Sequence, residues 1–204
     1  MGNKNSGYVP YKIPFNLDEE SSNYWLGYLC ADGNVQYSTK YRVYKASLFS
    51  KDRDIVDKFM LFMGTRCKYH LRKQNGIHEA YVSSRDLCEY LISLNIIPNK
   101  SLELNPNIKL NRDFIRGYFD GDGCIRSKGV EIKITTGSKV FVNKLKKYID
   151  VLGIYSIIRT KGNTYDLCME RKADAIKFLQ HIYTNSTIFL DRKYSKFVAL
   201  TSNS

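Results

Sequence analysis

The chain has 204 residues, 43% hydrophobic and 13% aromatic, enough apolar surface to bury a core and too much for a disordered tail. Its 32 Lys and Arg against 20 Asp and Glu leave a net charge of +12, a surplus usually matched to a polyanion. Nucleic acid is therefore the leading partner, ahead of an acidic membrane surface. No apolar run approaches the ~20 residues of a bilayer span, and MGNKNSGYVPYK lacks a signal-peptide core. Gly2 and Ser6 meet the myristoylation pattern only as a short, weak match. The expectation is a soluble intracellular protein with no membrane partner. Cys30, Cys67, Cys88, Cys124 and Cys168 are scattered singly, which points to reduced, buried thiols. His70, His78 and His181 have no zinc-ligand spacing.

Residues 1–17 read as an aperiodic arm. The first half, 18–100, carries helical patterns over 21–31, 52–63 and 85–95. CKYHLRK at 67–73 alternates as a strand, with Lys68, His70 and Arg72 on one face, and NG at 75–76 reads as a hairpin turn. Residues 101–111, with Pro106 and three asparagines, read as a linker. The second half, 112–204, carries helical patterns over 112–121, 139–152, 171–182 and 191–200. VEIKIT at 130–135 sets Val130, Ile132 and Ile134 on one face, and GN at 162–163 is a second turn. Each half thus reads as helix, two strands, helix, two strands, helix. The fold class is α+β, built from two pseudosymmetric αββαββα halves.

An internal repeat carries the chemistry. YWLGYLCADG and FIRGYFDGDG place Asp32 and Asp122 at equivalent positions, 90 residues apart. Gly27 with Ala31, and Gly117 with Gly121, put small residues four apart on one helix face, where a second backbone can approach. Gly33 and Gly123 fall where helices often end in a left-handed residue. The two helices are expected to pack about a pseudo-twofold axis, with Asp32 and Asp122 side by side at their C-terminal ends. Carboxylates there repel each other and the helix dipoles, and a hard divalent cation relieves both. Metal-assisted phosphodiester hydrolysis uses such an arrangement, aided by lysines that stabilise charge on phosphate. Lys100 lies 68 residues beyond Asp32 and Lys193 lies 71 beyond Asp122.

These residues resemble the two signature copies of LAGLIDADG homing endonucleases in the single-chain form. PNKS at 98–101 and LDRKYSKF at 190–197 resemble the segments bearing that family's active-site lysines. The resemblance spans roughly residues 20–200. It implies eight strands in two antiparallel saddles over DNA, with Mg²⁺ or Mn²⁺ (two or three ions) between Asp32 and Asp122. Main-chain oxygens of Ala31 and Gly121 would help hold them, and Lys100 and Lys193 would be catalytic. Both strands of a long pseudo-palindromic site would be cut across the minor groove, leaving short 3′ overhangs. Cys30 stands where the signature usually has an acid, which Asp120 keeps. The strand residues suited to reading DNA are Gln36, Ser38, Arg42, His70, Arg72, Arg126, Lys128, Lys133, Arg159 and Lys161.

The expected protein is a monomeric DNA endonuclease of a mobile intron, in a bacterial or phage cytoplasm or an organelle. The ends, Met1 and TSNS, lack the terminal residues of an intact intein. The rivals are an RNA maturase, with intron RNA as partner, and a non-cleaving DNA-binding regulator on the same fold. DGDGCIRSKGVE at 120–131 fails as a calcium-binding EF-hand, because Cys124 and Ile125 occupy the fifth and sixth loop positions.

Overall fold

The computed structural model describes residues 11–97, 102–126 and 130–202. Two helices form its centre. In α1 (Glu20–Asp32) every residue from Ser22 to Cys30 is buried, and in α4 (Arg112–Asp122) every residue from Phe114 to Asp120. Helices with no solvent face must sit inside the protein, and these two pack against each other. Asn111 starts α4 by accepting a hydrogen bond from the Phe114 N–H at 2.8 Å.

Each central helix runs straight into the edge strand of a four-stranded antiparallel sheet. The first sheet holds β1 (Gly33–Ser38), β2 (Val43–Ser50), β3 (Lys68–Arg72) and β4 (Ile77–Val82) in the order β1-β2-β4-β3. The second holds β5 (Gly123–Arg126), β6 (Glu131–Thr136), β7 (Ile157–Lys161) and β8 (Thr164–Met169) in the order β5-β6-β8-β7. Phe49 opposes Glu79 in the first sheet as Thr135 opposes Asp166 in the second. The β3–β4 and β7–β8 turns place Gly76 and Gly162 at φ 66° and 56°, so the expected NG and GN turns form.

One face of each sheet is covered by helices. α2 (Arg53–Met63) and α3 (Arg85–Ser93) cover the first, α5 (Lys139–Val151) and α6 (Lys172–Tyr183) the second. Trp25 packs edge-on to Phe59 at 5.1 Å, and Tyr118 to Phe141 at 4.8 Å, tying each central helix to its own half. Val130, Ile132 and Ile134 are all buried as the alternation requires, though Val130 lies in the turn before β6 with φ 51°. A final helix, α7 (Asp191–Thr201), crosses back toward the first half: Lys58 donates to the Phe189 carbonyl at 2.9 Å and Arg192 pairs with Asp52 at 2.8 Å. No helix among the described residues is long and apolar enough to cross a membrane. Residues 102–111 carry neither helix nor strand.

Candidate active site

The crossing of α1 and α4 is reciprocal. A Cβ on Gly27 would stand 2.9 Å from the Tyr118 N and closer still to the Phe114 carbonyl oxygen. A Cβ on Gly117 would stand 2.9 Å from the Tyr28 N and closer still to the Tyr24 carbonyl oxygen. Tyr24 and Tyr28 correspond to Phe114 and Tyr118 under the 90-residue repeat, so each glycine meets the same place on the other helix. Backbone lies against backbone, as small residues permit.

The same crossing assembles the helix ends. A Cβ on Gly121 would collide with that of Ala31 and lie 3.4 Å from Oδ2 of Asp32. Asp32 therefore sits against the backbone immediately before Asp122. Each acid follows a buried tyrosine by one turn. Burial, and then the neighbouring carboxylate, push the phenols of Tyr28 (beside Asp32) and Tyr118 (beside Asp122) above their usual range. Gly33 and Gly123 depart from expectation, because they are extended (φ −89° and −88°) rather than left-handed. Glycine is required there for room: a Cβ would strike Leu29 at the first position and the Phe119 ring and carbonyl at the second.

Behind Asp122 lies a buried polar hub. Asp120 accepts from the Tyr24 hydroxyl at 2.7 Å, the Tyr183 hydroxyl at 2.5 Å and the Leu190 N–H at 2.8 Å. Burial raises its carboxyl above the usual range, against the opposing pull of Lys193 and these donors. Lys193 is 2% exposed and donates to the carbonyls of Phe119 (2.5 Å), Asp120 (2.8 Å) and Gly123 (2.5 Å). Burial pulls its ammonium down to about 8, while Asp120 and Asp32 hold it up. A cation on the last carbonyls of α4 complements the helix dipole at the end where carboxylates oppose it.

A cleft of 260 Å³ opens beside Asp32, lined by Tyr28, Phe49, Ser50, Lys51, Asp52, Ile77 and Arg192. Sequence reasoning missed Lys51 and Arg192. Lys51 follows the end of β2, and Arg192 arrives from the other half, where no local pattern could reveal it.

The DNA-reading candidates divide by sheet. Gln36, Ser38, His70 and Arg72 lie on the helix-free face of the first sheet, and Arg126, Lys133, Arg159 and Lys161 on that of the second. Arg42 sits apart in the β1–β2 turn, lining a wider cleft with Lys45 and Arg85. Lys45 was also missed: it faces Gln36 across the register and lies 4.0 Å over the Tyr81 ring. Cys124 is exposed on the open face of β5, not in the core, because strand parity turns it away from Ile125. The other four cysteines are buried and unbridged. Lys100 and Lys128 lie outside the described residues.

Comparison with known proteins places this architecture. Residues 109–183 match the model of a LAGLIDADG-like domain. I-DmoI in complex with DNA and Ca superposes with a TM-score of 0.65 at 18% identity, over 88% of this chain and 97% of that one. The chain has the fold of the single-chain LAGLIDADG homing endonucleases. I-WcaI bound to its DNA recognition sequence gives 0.65 at 13% identity, over 94% and 93% of the two chains. The family-model match runs from just before α4 to the end of α6, and α1 repeats the spacing of α4 90 residues earlier. By sequence, a segment of the DNA-directed RNA polymerase subunit Rpo1C of Methanocaldococcus jannaschii is 26% identical over 98% of the chain. The chain spans less than a quarter of the length of the curated relatives it matches.

Proposed function

We propose that the chain is a site-specific, divalent-metal-dependent endonuclease that cuts both strands of a long pseudo-palindromic duplex across its minor groove. The observation that carries this reading is the reciprocal crossing of α1 and α4, which sets Asp32 against the backbone beside Asp122, between two sheets whose open faces carry Lys and Arg. The donor set fits a hard ion: Asp32 and Asp122 offer carboxylate oxygens, Ala31 and Gly121 carbonyls. Among the described residues no group of three or more His, Cys, Asp or Glu forms a cage of its own. That suits Mg²⁺ or Mn²⁺, since Mg²⁺ is commonly held by one or two carboxylates with water and substrate phosphate. The relative I-DmoI has been crystallised with DNA and Ca or Mn. When bound, such ions activate water and stabilise the leaving oxygen of a phosphodiester.

The protein's own groups orient the reaction. Asp32 and Asp122 would hold the ions from the two helix ends. Lys193 fixes the end of α4 through three carbonyls, and Lys51 and Arg192 border the cleft where a phosphate would lie. Lys100 takes the family's lysine role in the first half. The sheet residues named above hold the duplex, phosphate contacts giving affinity and base edges giving register. The protein acts as a monomer in intron homing.

One observation favours binding without cleavage. Lys193, the lysine expected to reach phosphate, is buried with its protons directed to backbone. Selection of cut ends from a randomised duplex library decides between the two. With Mg²⁺ present, the nuclease reading expects a long two-half site cut to short 3′ overhangs. Enrichment of bound duplexes with no cut ends in Mg²⁺ or Mn²⁺ would leave the binding role alone.

A further inference from the structure

The open faces of the two sheets place their acids differently. On the first, among the described residues, the acid is Glu79, whose side chain is only 4% exposed. It lies under its partners: Lys45 at 2.5 Å, the Ser47 hydroxyl at 3.1 Å and Arg72 at 3.3 Å. Arg72 also covers the Phe49 ring at 4.5 Å. DNA resting on that face meets cations and hydroxyls, with the carboxylate out of reach beneath them.

The second face presents its acids beside its bases. Arg126 pairs with Glu131 at 3.3 Å, Lys133 with Asp166 at 3.3 Å and Arg159 with Glu170 at 2.6 Å. The carboxylate side chains are 36%, 13% and 40% exposed, and all six residues line one small concavity. Asp166 stands at the register position of Glu79 and is shielded like it, accepting from the Thr135 hydroxyl at 2.7 Å. The accessible carboxylates are therefore those of Glu131 and Glu170, which have no counterpart among the described residues of the first face.

Accessible carboxylates on a face that meets a polyanion repel phosphate and cancel the pull of the neighbouring cations. They make sense as contacts to bases. In the major groove guanine offers two acceptors, O6 and N7, while its partner cytosine offers the N4 amino donor. An arginine or lysine set beside a carboxylate complements both members of a G·C pair. An A·T pair answers poorly, because N7 and O4 flank its one amino group and turn acceptors toward the carboxylate.

We infer that the second sheet reads G·C base pairs through the Arg126–Glu131 and Arg159–Glu170 pairs, cation to guanine and carboxylate to cytosine, while the first sheet holds its half-site chiefly by phosphate. The inference rests on the duplex-binding reading above. The test selects bound sequences from a randomised duplex library with the full chain in EDTA, comparing wild type with Glu131→Gln and Glu170→Gln. Wild type should enrich one G·C-rich half-site and one that is less sharply defined. Because an amide suits adenine, each variant should move one cytosine position of the G·C-rich half-site toward adenine, roughly tenfold, and leave the other half-site unchanged. An enriched site without such a G·C half overturns the inference. So does a variant that binds all duplexes more tightly with unchanged base preference, the outcome for acids that only neutralise. A chain that enriches no duplex overturns the duplex-binding reading, and this inference with it.

Discussion

Lys193 turns its ammonium inward, onto the carbonyls at the end of α4, and under the proposed function that makes it a positioning residue for Asp122. Loss of its donors in Lys193→Met leaves buried carbonyls unanswered and Asp120 without its cation, a cost of about 3 kcal/mol. The cost depends on pH. The group titrates near 8 when folded and at the ordinary 10.5 when unfolded. Between those values the unfolded chain binds the extra proton, so wild-type stability gains with rising pH relative to a chain lacking the group. Urea unfolding at pH 7.5 and pH 10 should show the gap between wild type and Lys193→Met widening by up to about 3 kcal/mol. A gap constant across that range contradicts the assignment. At this scale the sequence announced the acids through their repeat, and showed Asp120 only as an acid that its counterpart Cys30 lacks. Its three donors come from α1, α6 and the start of α7, so the hub itself was legible only in three dimensions.

At the scale of elements, the small-residue spacing carried the most reliable signal. Gly27 and Gly117 each face the backbone of the other helix with no room for a methyl group. Gly117→Ala forces α1 and α4 apart and should destabilise the protein by about 3 kcal/mol, lowering its thermal midpoint by roughly 10 °C. Gly76→Ala, in an open turn at φ 66°, meets only backbone strain of about 1 kcal/mol. Calorimetry on both variants checks the difference, and equal losses would mean that the helix crossing is not tight. Gly33 and Gly123 show the limit of such reading. Glycine serves both a left-handed turn and a close approach, and only the backbone angles separate the two. The strands were easier: alternation in 67–73 and 130–135 fixed which residues share a face, since successive strand residues point to opposite sides.

For the whole molecule, duplication is the organising fact. Two halves of one topology bury their central helices against each other, and the closing segment of the second reaches back to the first through Lys58 and the Arg192–Asp52 pair. The halves are alike in topology and unlike in surface. Cys30 stands opposite Asp120, and the open faces differ in charge placement. A repeat visible in the sequence therefore foretold the architecture, while the residues that bring the halves together, far apart along the chain, were silent in it. The proposed activity rests on Asp32 and Asp122 acting as a pair. Asp32→Asn and Asp122→Asn, each assayed on the selected duplex with Mg²⁺ for cutting and in EDTA for binding, test it most directly. Both variants should bind as wild type does and lose double-strand cutting. Cutting at the wild-type rate, or a loss of affinity that accounts for any lost cutting, would contradict the claim.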